Sequence, residues 1–139
     1  MRLGADAVIL ASSADDMLGI ANTLDLIIDT SAGNSDVNAL LATLKHDGTL
    51  VQVGAAPQPL PVSAFSLVQK RRSVAGSFIG SIAETQEMLD FCATNGIGAE
   101  IELIAIEDIN EAYQRLEKGD VKYRFVIDGA SIQQISIPR

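Results

Sequence analysis

The sequence predicts an α/β fold, and two features of the 139-residue chain support this prediction. Short apolar runs alternate with amphipathic stretches, the order typical of parallel strands joined by helical crossovers. Apolar residues make up 47% of the chain and aromatic residues only 4%, an aliphatic composition typical of buried parallel strands. A chain of this length can bury a substantial core, so we expect a globular protein.

Charge and cysteine content exclude several classes of protein. The net charge is -8 and the pI is about 4.4, so the averaged surface repels a phosphate backbone, and we expect no nucleic-acid partner. The basic run Gln69–Arg72 is either a solvated loop or a local anion patch. Cys92 is the single cysteine, which excludes an internal disulfide and a thiolate-rich metal site. No run of about 18 apolar residues occurs, so we expect no membrane partner and a cytoplasmic protein.

The first third of the chain is predicted to run strand, helix, strand, helix, strand. Ala7–Ala11 and Leu24–Asp29 are apolar runs that we predict as strands. Ser12 or Ser13 can cap a short helix between them, because acidic residues follow in its first turn.

The second helix of this region has its apolar residues at i, i+3, i+4 and i+7: Val37, Leu40, Leu41 and Leu44. We predict that it ends at Gly48 in the left-handed conformation. His46 then lies in its last turn, where a cation complements the helix dipole. Thr49–Val53 is the next predicted strand.

The rest of the chain continues the alternation after a loop that contains Pro57, Pro59 and Pro61. The predicted strands are Ser73–Gly80, Ala99–Ile106 and Tyr123–Asp128. The predicted helices are Ser81–Gly96 and Glu107–Asp120. The first of these helices is predicted to place four residues on or near its core side: Met88, Leu89, Phe91 and Cys92. Cys92 is therefore interpreted as a packing residue.

Three predicted strands end in small or polar residues, in the segments DTSA, VGAAP and GSFIGS. These ends form a common carboxyl edge, where open α/β sheets bind ligands. The segments LDLIIDT, LLATLKHDGTLVQVG, SVAGSFIGSIAETQEMLDFCATNGIGAEIELI and INEAYQRLEKGDVKYRFVID resemble the carboxyl-terminal half of the zinc-type, medium-chain alcohol dehydrogenases, in the cinnamyl-alcohol and aldehyde-reductase branch. The resemblance runs from Leu3 to about Asp128.

The resemblance implies a partial Rossmann-type, doubly wound and mainly parallel sheet over residues 1–98, followed by a carboxyl-terminal segment of the catalytic domain over 99–139. The first two strands of the family's sheet would be missing. Either the sequence is a fragment of a longer chain, or Ala7–Ala11 pairs beside Leu24–Asp29 as a new neighbour. The family's edge strand also implies a homodimer through Val74–Ile79.

The resemblance further implies an NADP- or NAD-dependent enzyme in which a catalytic zinc polarises an alcohol or aldehyde oxygen during hydride transfer. His46 is the sole histidine, and no set of three zinc ligands is recognised. Gly96–Gly98 lacks a third glycine and follows a helix, so it is not a phosphate-binding turn. We therefore assign no catalytic or metal-binding residue, and expect weak cofactor binding and no turnover by this chain alone.

By the same resemblance, residues that follow three strands would line the nicotinamide and its ribose: Thr30, Ser31, Val53, Gly54, Ala55, Ser77, Phe78 and Ile79. Arg124 would reach the pyrophosphate. The residues alone leave a second interpretation open, in which Gly54 serves only its turn and Arg124 points to water.

Two other functional classes also fit parts of the chain. A methyltransferase that uses S-adenosylmethionine would have a similar strand, helix, turn and strand before Gly54. A non-catalytic remnant or interaction module would fold without turnover. The sequence leaves the alcohol or aldehyde substrate open, as well as the choice between NADP and NAD.

Overall fold

A computed structural model describes residues 4–33 and 35–134 and confirms the α/β class. The strands are β1 (Leu24–Asp29), β2 (Leu44–Gln52), β3 (Ser73–Gly76), β4 (Glu102–Ile104) and β5 (Phe125–Ile127). The helices are α1 (Ala14–Gly19), α2 (Val37–Thr43), α3 (Ala64–Val68), α4 (Ile82–Thr94) and α5 (Ile109–Glu117). Short 3-10 helices cover Ile106–Asp108 and Gly129–Gln134. The chain divides into two compact units, Met1–Ile79 and Gly80–Arg139, while the predicted domain boundary at residues 98 and 99 stays a prediction.

The first unit contains a parallel sheet in the order β1-β2-β3. Ile27, Leu50 and Val74 are in register across the three strands, and all three contribute to the core on one face. The buried cluster consists of Val37, Leu41, Leu44 and Leu50. Helix α2 supplies Val37 and Leu41 to this cluster, so the core lies between α2 and the sheet.

Helix α2 ends at Thr43, five residues before the predicted end at Gly48. Leu44 is extended and begins β2, where it pairs with Leu24 of β1. The amide of Thr23 donates to the Thr43 carbonyl oxygen at 2.9 Å, so a neighbouring segment replaces the hydrogen bond that another helical turn would supply. Asp47, not Gly48, has a positive φ, of 63°. His46 therefore lies in a strand and not at a helix terminus.

The prediction of a strand over Ala7–Ala11 is wrong. These residues are irregular and end in a turn, in which the amide of Ser13 donates to the Leu10 carbonyl oxygen at 2.9 Å. Ser13 then caps α1 through its hydroxyl. Val8 and Leu10 are 68% and 60% exposed, so the apolar run lacks the burial that would hold it as a strand. The described residues therefore give no pairing of this run with β1.

Two further elements differ from their predictions. Helix α3, which the sequence does not predict, begins at the end of the predicted proline-containing loop, three residues after Pro61. Helix α4 is present and carries the complete capping box between Ser81 and Glu84. All thirteen of its residues are described and none is buried, so the predicted core side is not covered within the structure. Cys92 is half-buried, and its Sγ lies 3.7 Å from the Sδ of Met88.

The second unit contains the parallel pair β4 and β5. Arg115 of α5 binds Glu102 at 2.8 Å and Asp120 at 3.0 Å. Its guanidinium also lies 4.7 Å from the centre of the Phe125 ring. These contacts link the helix to both strands of the pair. Among the described residues, no helix has the length and apolar character that crossing a membrane requires.

Candidate functional site

The carboxyl ends of β1 and β2 converge on the carbonyl oxygen of Asp29. The amides of Val53 and Gly54 both donate to this oxygen, at 2.9 and 3.0 Å. The loop after β2 is therefore tied to the last residue of β1. Thr30 and Ser31 follow β1, and Val53, Gly54 and Ala55 follow β2, so these candidate residues lie at the same edge of the sheet. Their role in binding a cofactor stays a prediction.

Gly54 lies against the backbone of the loop that follows β1. A Cβ at this position would lie 1.9 Å from the Ser31 carbonyl oxygen and 2.9 Å from the Thr30 carbonyl carbon. Real Cβ atoms do not approach other atoms so closely. Glycine is thus required by the close approach of two loops and not by a left-handed backbone.

Asp29 is the centre of a hydrogen-bond network that the sequence analysis did not assign. Its Oδ1 accepts from the Ser31 amide at 2.9 Å and from the Ser31 hydroxyl at 2.7 Å. The Ser31 hydroxyl also lies 2.7 Å from that of Ser35. The Ser31 hydroxyl is the main cause that lowers the pKa of Asp29, against the opposing effect of burial. The carboxylate is therefore ionised at neutral pH.

Gln52 is a second residue at this edge that the sequence analysis did not assign. Its Nε2 donates to the Gly54 carbonyl oxygen at 2.7 Å, and its side chain also helps to lower the pKa of Asp29. Its Oε1 is buried and has no hydrogen-bond partner in the described part of the chain. An aspartate that ends a strand two residues before a serine is a known turn pattern, and this pattern could have pointed to Asp29. The sequence around Gln52 contains no comparable turn pattern, so this residue could not have been found in the same way.

The third strand brings Ser77 to the same edge. The Ser77 amide donates to the Gln52 carbonyl oxygen at 3.0 Å, which extends the pairing of β2 and β3 by one residue. Phe78 and Ile79 follow and are 88% and 81% exposed. Their apolar side chains are therefore available to contact a ligand or another polypeptide.

Arg124 lies in the second unit, whereas the other eight candidate residues lie in the first. It is exposed and precedes β5, which starts at Phe125 and not at Tyr123 as predicted. Tyr123 has a φ of 75°, a conformation that a strand residue does not adopt. The predicted start of this strand at Tyr123 is therefore wrong, and the role of Arg124 at the pyrophosphate stays a prediction.

The basic run forms contacts within the protein at the amino ends of the strands. Lys70 donates to the side-chain oxygen of Asn22. Arg71 donates to both carboxylate oxygens of Asp47, at 2.8 and 2.7 Å. Arg72 donates to the Leu44 carbonyl oxygen at 2.6 Å. These side chains therefore bind groups within the protein, and they lie away from the carboxyl edge.

Residues 4–33 and 35–134 contain no group of three or more histidine, cysteine, aspartate or glutamate side chains that could hold a metal ion. His46 instead contacts Asp47, with 2.9 Å between Nδ1 and Oδ2. The residues described here therefore do not fit a catalytic zinc.

Comparison with known proteins identifies the family of the chain. Residues 1–94 match the family described as zinc-binding dehydrogenase. The chain belongs to this family. This membership, together with the parallel sheet, confirms the predicted resemblance and the Rossmann-type fold class.

The similar proteins are much longer than this chain. Aldehyde reductase YahK of Escherichia coli is 49% identical over 131 residues, which are 94% of this chain and 38% of the reductase. The structure of a cinnamyl alcohol dehydrogenase from Sorghum bicolor superposes with a TM-score of 0.84 and 46% identity, over 93% of this chain and 36% of that enzyme. The cinnamyl alcohol dehydrogenase of Helicobacter pylori, solved with NADP(H), has a TM-score of 0.64 and 42% identity over 76% of this chain and 31% of its own.

Proposed function

We propose that this chain supplies the nicotinamide-binding edge of an NADP- or NAD-dependent dehydrogenase that interconverts alcohols and aldehydes. The observation that carries the proposal is the close packing of Gly54 on the Thr30–Ser31 backbone, which fixes the carboxyl ends of two parallel strands in one place. Open α/β sheets bind ligands at such edges. Similar proteins named as aldehyde reductase and cinnamyl alcohol dehydrogenase support the reaction class.

The chemistry of the edge determines how it would hold a cofactor. The Val53 and Gly54 amides already donate to Asp29, so a nicotinamide would be bound through carbonyl oxygens and side chains instead. Phe78 and Ile79 would shield one side of the ring from water. When bound, the nicotinamide supplies or accepts the hydride. The residues of this chain would bind and orient it, and none is assigned a proton-transfer role.

Titration of the ¹⁵N-labelled chain with NADPH and NADH tests the proposed site. We expect millimolar affinity, on the order of 4 kcal/mol, with chemical-shift changes centred on residues 30–31, 53–55 and 77–79. Arg124→Ala should abolish this binding, whereas Lys122→Ala serves as the matched control on a neighbouring exposed cation. Micromolar or tighter binding would contradict the expected weak affinity, and shift changes confined to other residues would contradict the proposed site.

We expect no zinc-dependent turnover from the 139-residue polypeptide. The described residues contain no group of three histidine, cysteine, aspartate or glutamate side chains that could hold a metal ion, so they do not provide the usual three-ligand catalytic site. An assay with zinc, either cofactor and a panel of aromatic and aliphatic alcohols checks this. Turnover well above background that requires zinc would refute it.

The outer edge of β3 supports the further proposal of a two-fold homodimer through Val74–Ile79. Within the described residues β3 pairs only with β2, and an unpaired edge without charge favours pairing with a second copy. Light scattering at about tens of micromolar, where a standard interface is occupied, should give twice the chain mass. Ala75→Pro should restore the monomer. A monodisperse monomer of the unmodified chain would exclude the dimer.

We also expect the protein to act in the cytoplasm.

A further inference from the structure

Asn95 caps the carboxyl end of helix α4, and Gly96 follows it. The Gly96 amide donates to the Ala93 carbonyl oxygen at 3.3 Å. The Ile97 amide donates to the Cys92 carbonyl oxygen at 2.8 Å. These two bonds form the Schellman motif, in which the residue after the cap has a left-handed backbone. Gly96 has a φ of 65°, so the end of the helix favours glycine at this position.

Asn95 and Gly96 are also the only asparagine–glycine pair in the sequence. In such a pair the backbone nitrogen of the glycine loses its proton to water and forms a bond to the side-chain Cγ of the asparagine. The bond between Cγ and Nδ2 then breaks, and the leaving nitrogen takes up a proton and departs as ammonia. Water opens one of the two bonds of the resulting cyclic imide, which gives aspartate or isoaspartate. Glycine favours this reaction because it has no Cβ to obstruct its nitrogen.

The surroundings of this pair leave room for the cyclic imide. Both residues are exposed, and a Cβ at Gly96 would meet nothing within 4 Å. In the closed helix, the Asn95 Nδ2 donates to the Phe91 carbonyl oxygen at 2.8 Å, which ties the side chain to the preceding turn. The reaction therefore requires this bond and the bond of the Gly96 amide to open.

Opening of this helix end requires little free energy, because none of the thirteen residues of α4 is buried. Asn38 in α2 differs in this respect. Its side chain donates to the Pro61 carbonyl oxygen and accepts from the Ser63 amide, so distant contacts must break before it can react. We propose that Asn95–Gly96 is a site of spontaneous deamidation, which proceeds through local opening of the carboxyl end of α4.

This modification would remove the cap of α4. A carboxylate at position 95 cannot donate to the Phe91 carbonyl oxygen. Its negative charge would also lie at the carboxyl end of the helix, where the helix dipole disfavours it. Isoaspartate adds a methylene group to the backbone and disrupts the spacing that the Schellman motif requires. Both products therefore unwind the last turn of α4.

Incubation of the full 139-residue chain at neutral pH, followed by peptide mapping with mass spectrometry, tests the proposal. We expect conversion of amide to acid at least about tenfold faster at Asn95 than at Asn38 or Asn110, because glycine follows neither of these two and opening of α4 breaks no buried contact. Isoaspartate in the product, detected by a protein isoaspartate methyltransferase, distinguishes the imide route from direct hydrolysis.

Asn95→Gln is the matched control. It keeps an amide at the cap, but its longer side chain would have to close a larger ring, so we expect no conversion at this position. Asn95→Asp reproduces one of the two products. It should speed hydrogen exchange of the Ile97 amide relative to the unmodified chain, whereas Asn95→Gln should change this exchange less.

Hydrogen exchange also tests the requirement for opening. The rate of conversion at Asn95 in the urea-unfolded chain, divided by the rate in the folded chain, should match the protection factor of the Ile97 amide, since both quantities report the same opening. Three results would overturn the proposal: conversion at Asn38 or Asn110 that is as fast as at Asn95, a product without isoaspartate, or a rate at Asn95 that unfolding leaves unchanged. Asn95 and Gly96 are not candidate cofactor residues, so failure here leaves the proposed function untouched.

Discussion

The two ends of the three-stranded sheet are stabilised by different chemistry. At the amino ends of the strands, Arg72 donates to the Leu44 carbonyl oxygen and Arg71 forms an ion pair with Asp47. At the carboxyl ends, backbone amides and the Ser31 hydroxyl bind Asp29. Positive side chains thus stabilise the end away from the candidate site. The candidate end keeps its geometry through contacts between the loops that follow β1 and β2.

The largest effect is expected at the carboxyl end, from Gly54→Ala. The added methyl group would overlap the Ser31 carbonyl oxygen, so the two loops must separate. We expect a loss of about 3 kcal/mol in the free energy of unfolding, measured by urea denaturation. Gly76→Ala is the matched control, because a Cβ there meets nothing within 4 Å and stability should be unchanged or slightly higher. Equal effects of the two substitutions would show that the close approach is unimportant.

Arg72→Ala, at the amino end of the strands, is expected to cause the second largest loss in the free energy of unfolding. Arg72 donates to the carbonyl oxygens of Leu44 and Ser66 and to the side chain of Asn22. Removing it leaves part-buried carbonyl groups unpaired, which we expect to cost about 2 kcal/mol. Arg71→Ala, measured in the same way, should change stability little at neutral pH, because its side chain is 71% exposed. A larger loss of stability from Arg71→Ala than from Arg72→Ala would contradict this expectation.

Ser31→Ala, at the carboxyl end of β1, is expected to cause a smaller loss of stability and to change the pKa of Asp29. The hydroxyl is the main cause of the lowered pKa of Asp29, so its removal should raise that pKa towards the usual range. Carboxyl ¹³C chemical shifts followed over a pH titration measure this change. We expect a stability loss of about 1 kcal/mol at pH 7. An unchanged pKa of Asp29 would mean that the Ser31 hydroxyl does not bind it in solution.

The smallest effect concerns Asp47 at the amino end and depends on pH. Hydrogen bonds from Arg71 and then His46 lower the pKa of Asp47 from 3.8 to about 2. A carboxyl whose pKa is lowered by folding stabilises the fold above its unfolded pKa. This contribution is therefore present above about pH 4 and lost as the pH falls towards 2. The difference in urea midpoint between the wild type and Asp47→Asn should shrink over that range, and a constant difference would contradict the assignment.

Elements specified by local sequence could be predicted well. β1 has the predicted bounds, Leu24–Asp29, because its apolar run is bounded by polar residues. Helix α4, predicted from its amphipathic pattern, is present, and its capping box of Ser81 and Glu84 lies within four consecutive residues. In both cases the residues that predict the element lie within or directly beside the element itself.

Elements specified by distant contacts could not be predicted. The end of α2 depends on Thr23 and on Arg72, which binds the Leu44 carbonyl oxygen from 28 residues away. The apolar run Ala7–Ala11 has the composition of a strand, but pairing also needs a neighbour. At the candidate site, the segments after β1 and β2 could be located from the sequence. The contact of Gly54 with Ser31 depends on how the two loops meet, and the sequence does not show it.

Among the described residues, the deepest burial is concentrated in one short segment. The largest fully buried side chains, Val37, Leu41, Thr43, Leu44 and Leu50, all lie between residues 37 and 50. Amide hydrogens exchange with solvent most slowly where opening requires the loss of such a core. The α2–β2 segment should therefore exchange last, by global unfolding. Helix α4, which has no buried residue, should exchange through local opening of much lower free energy.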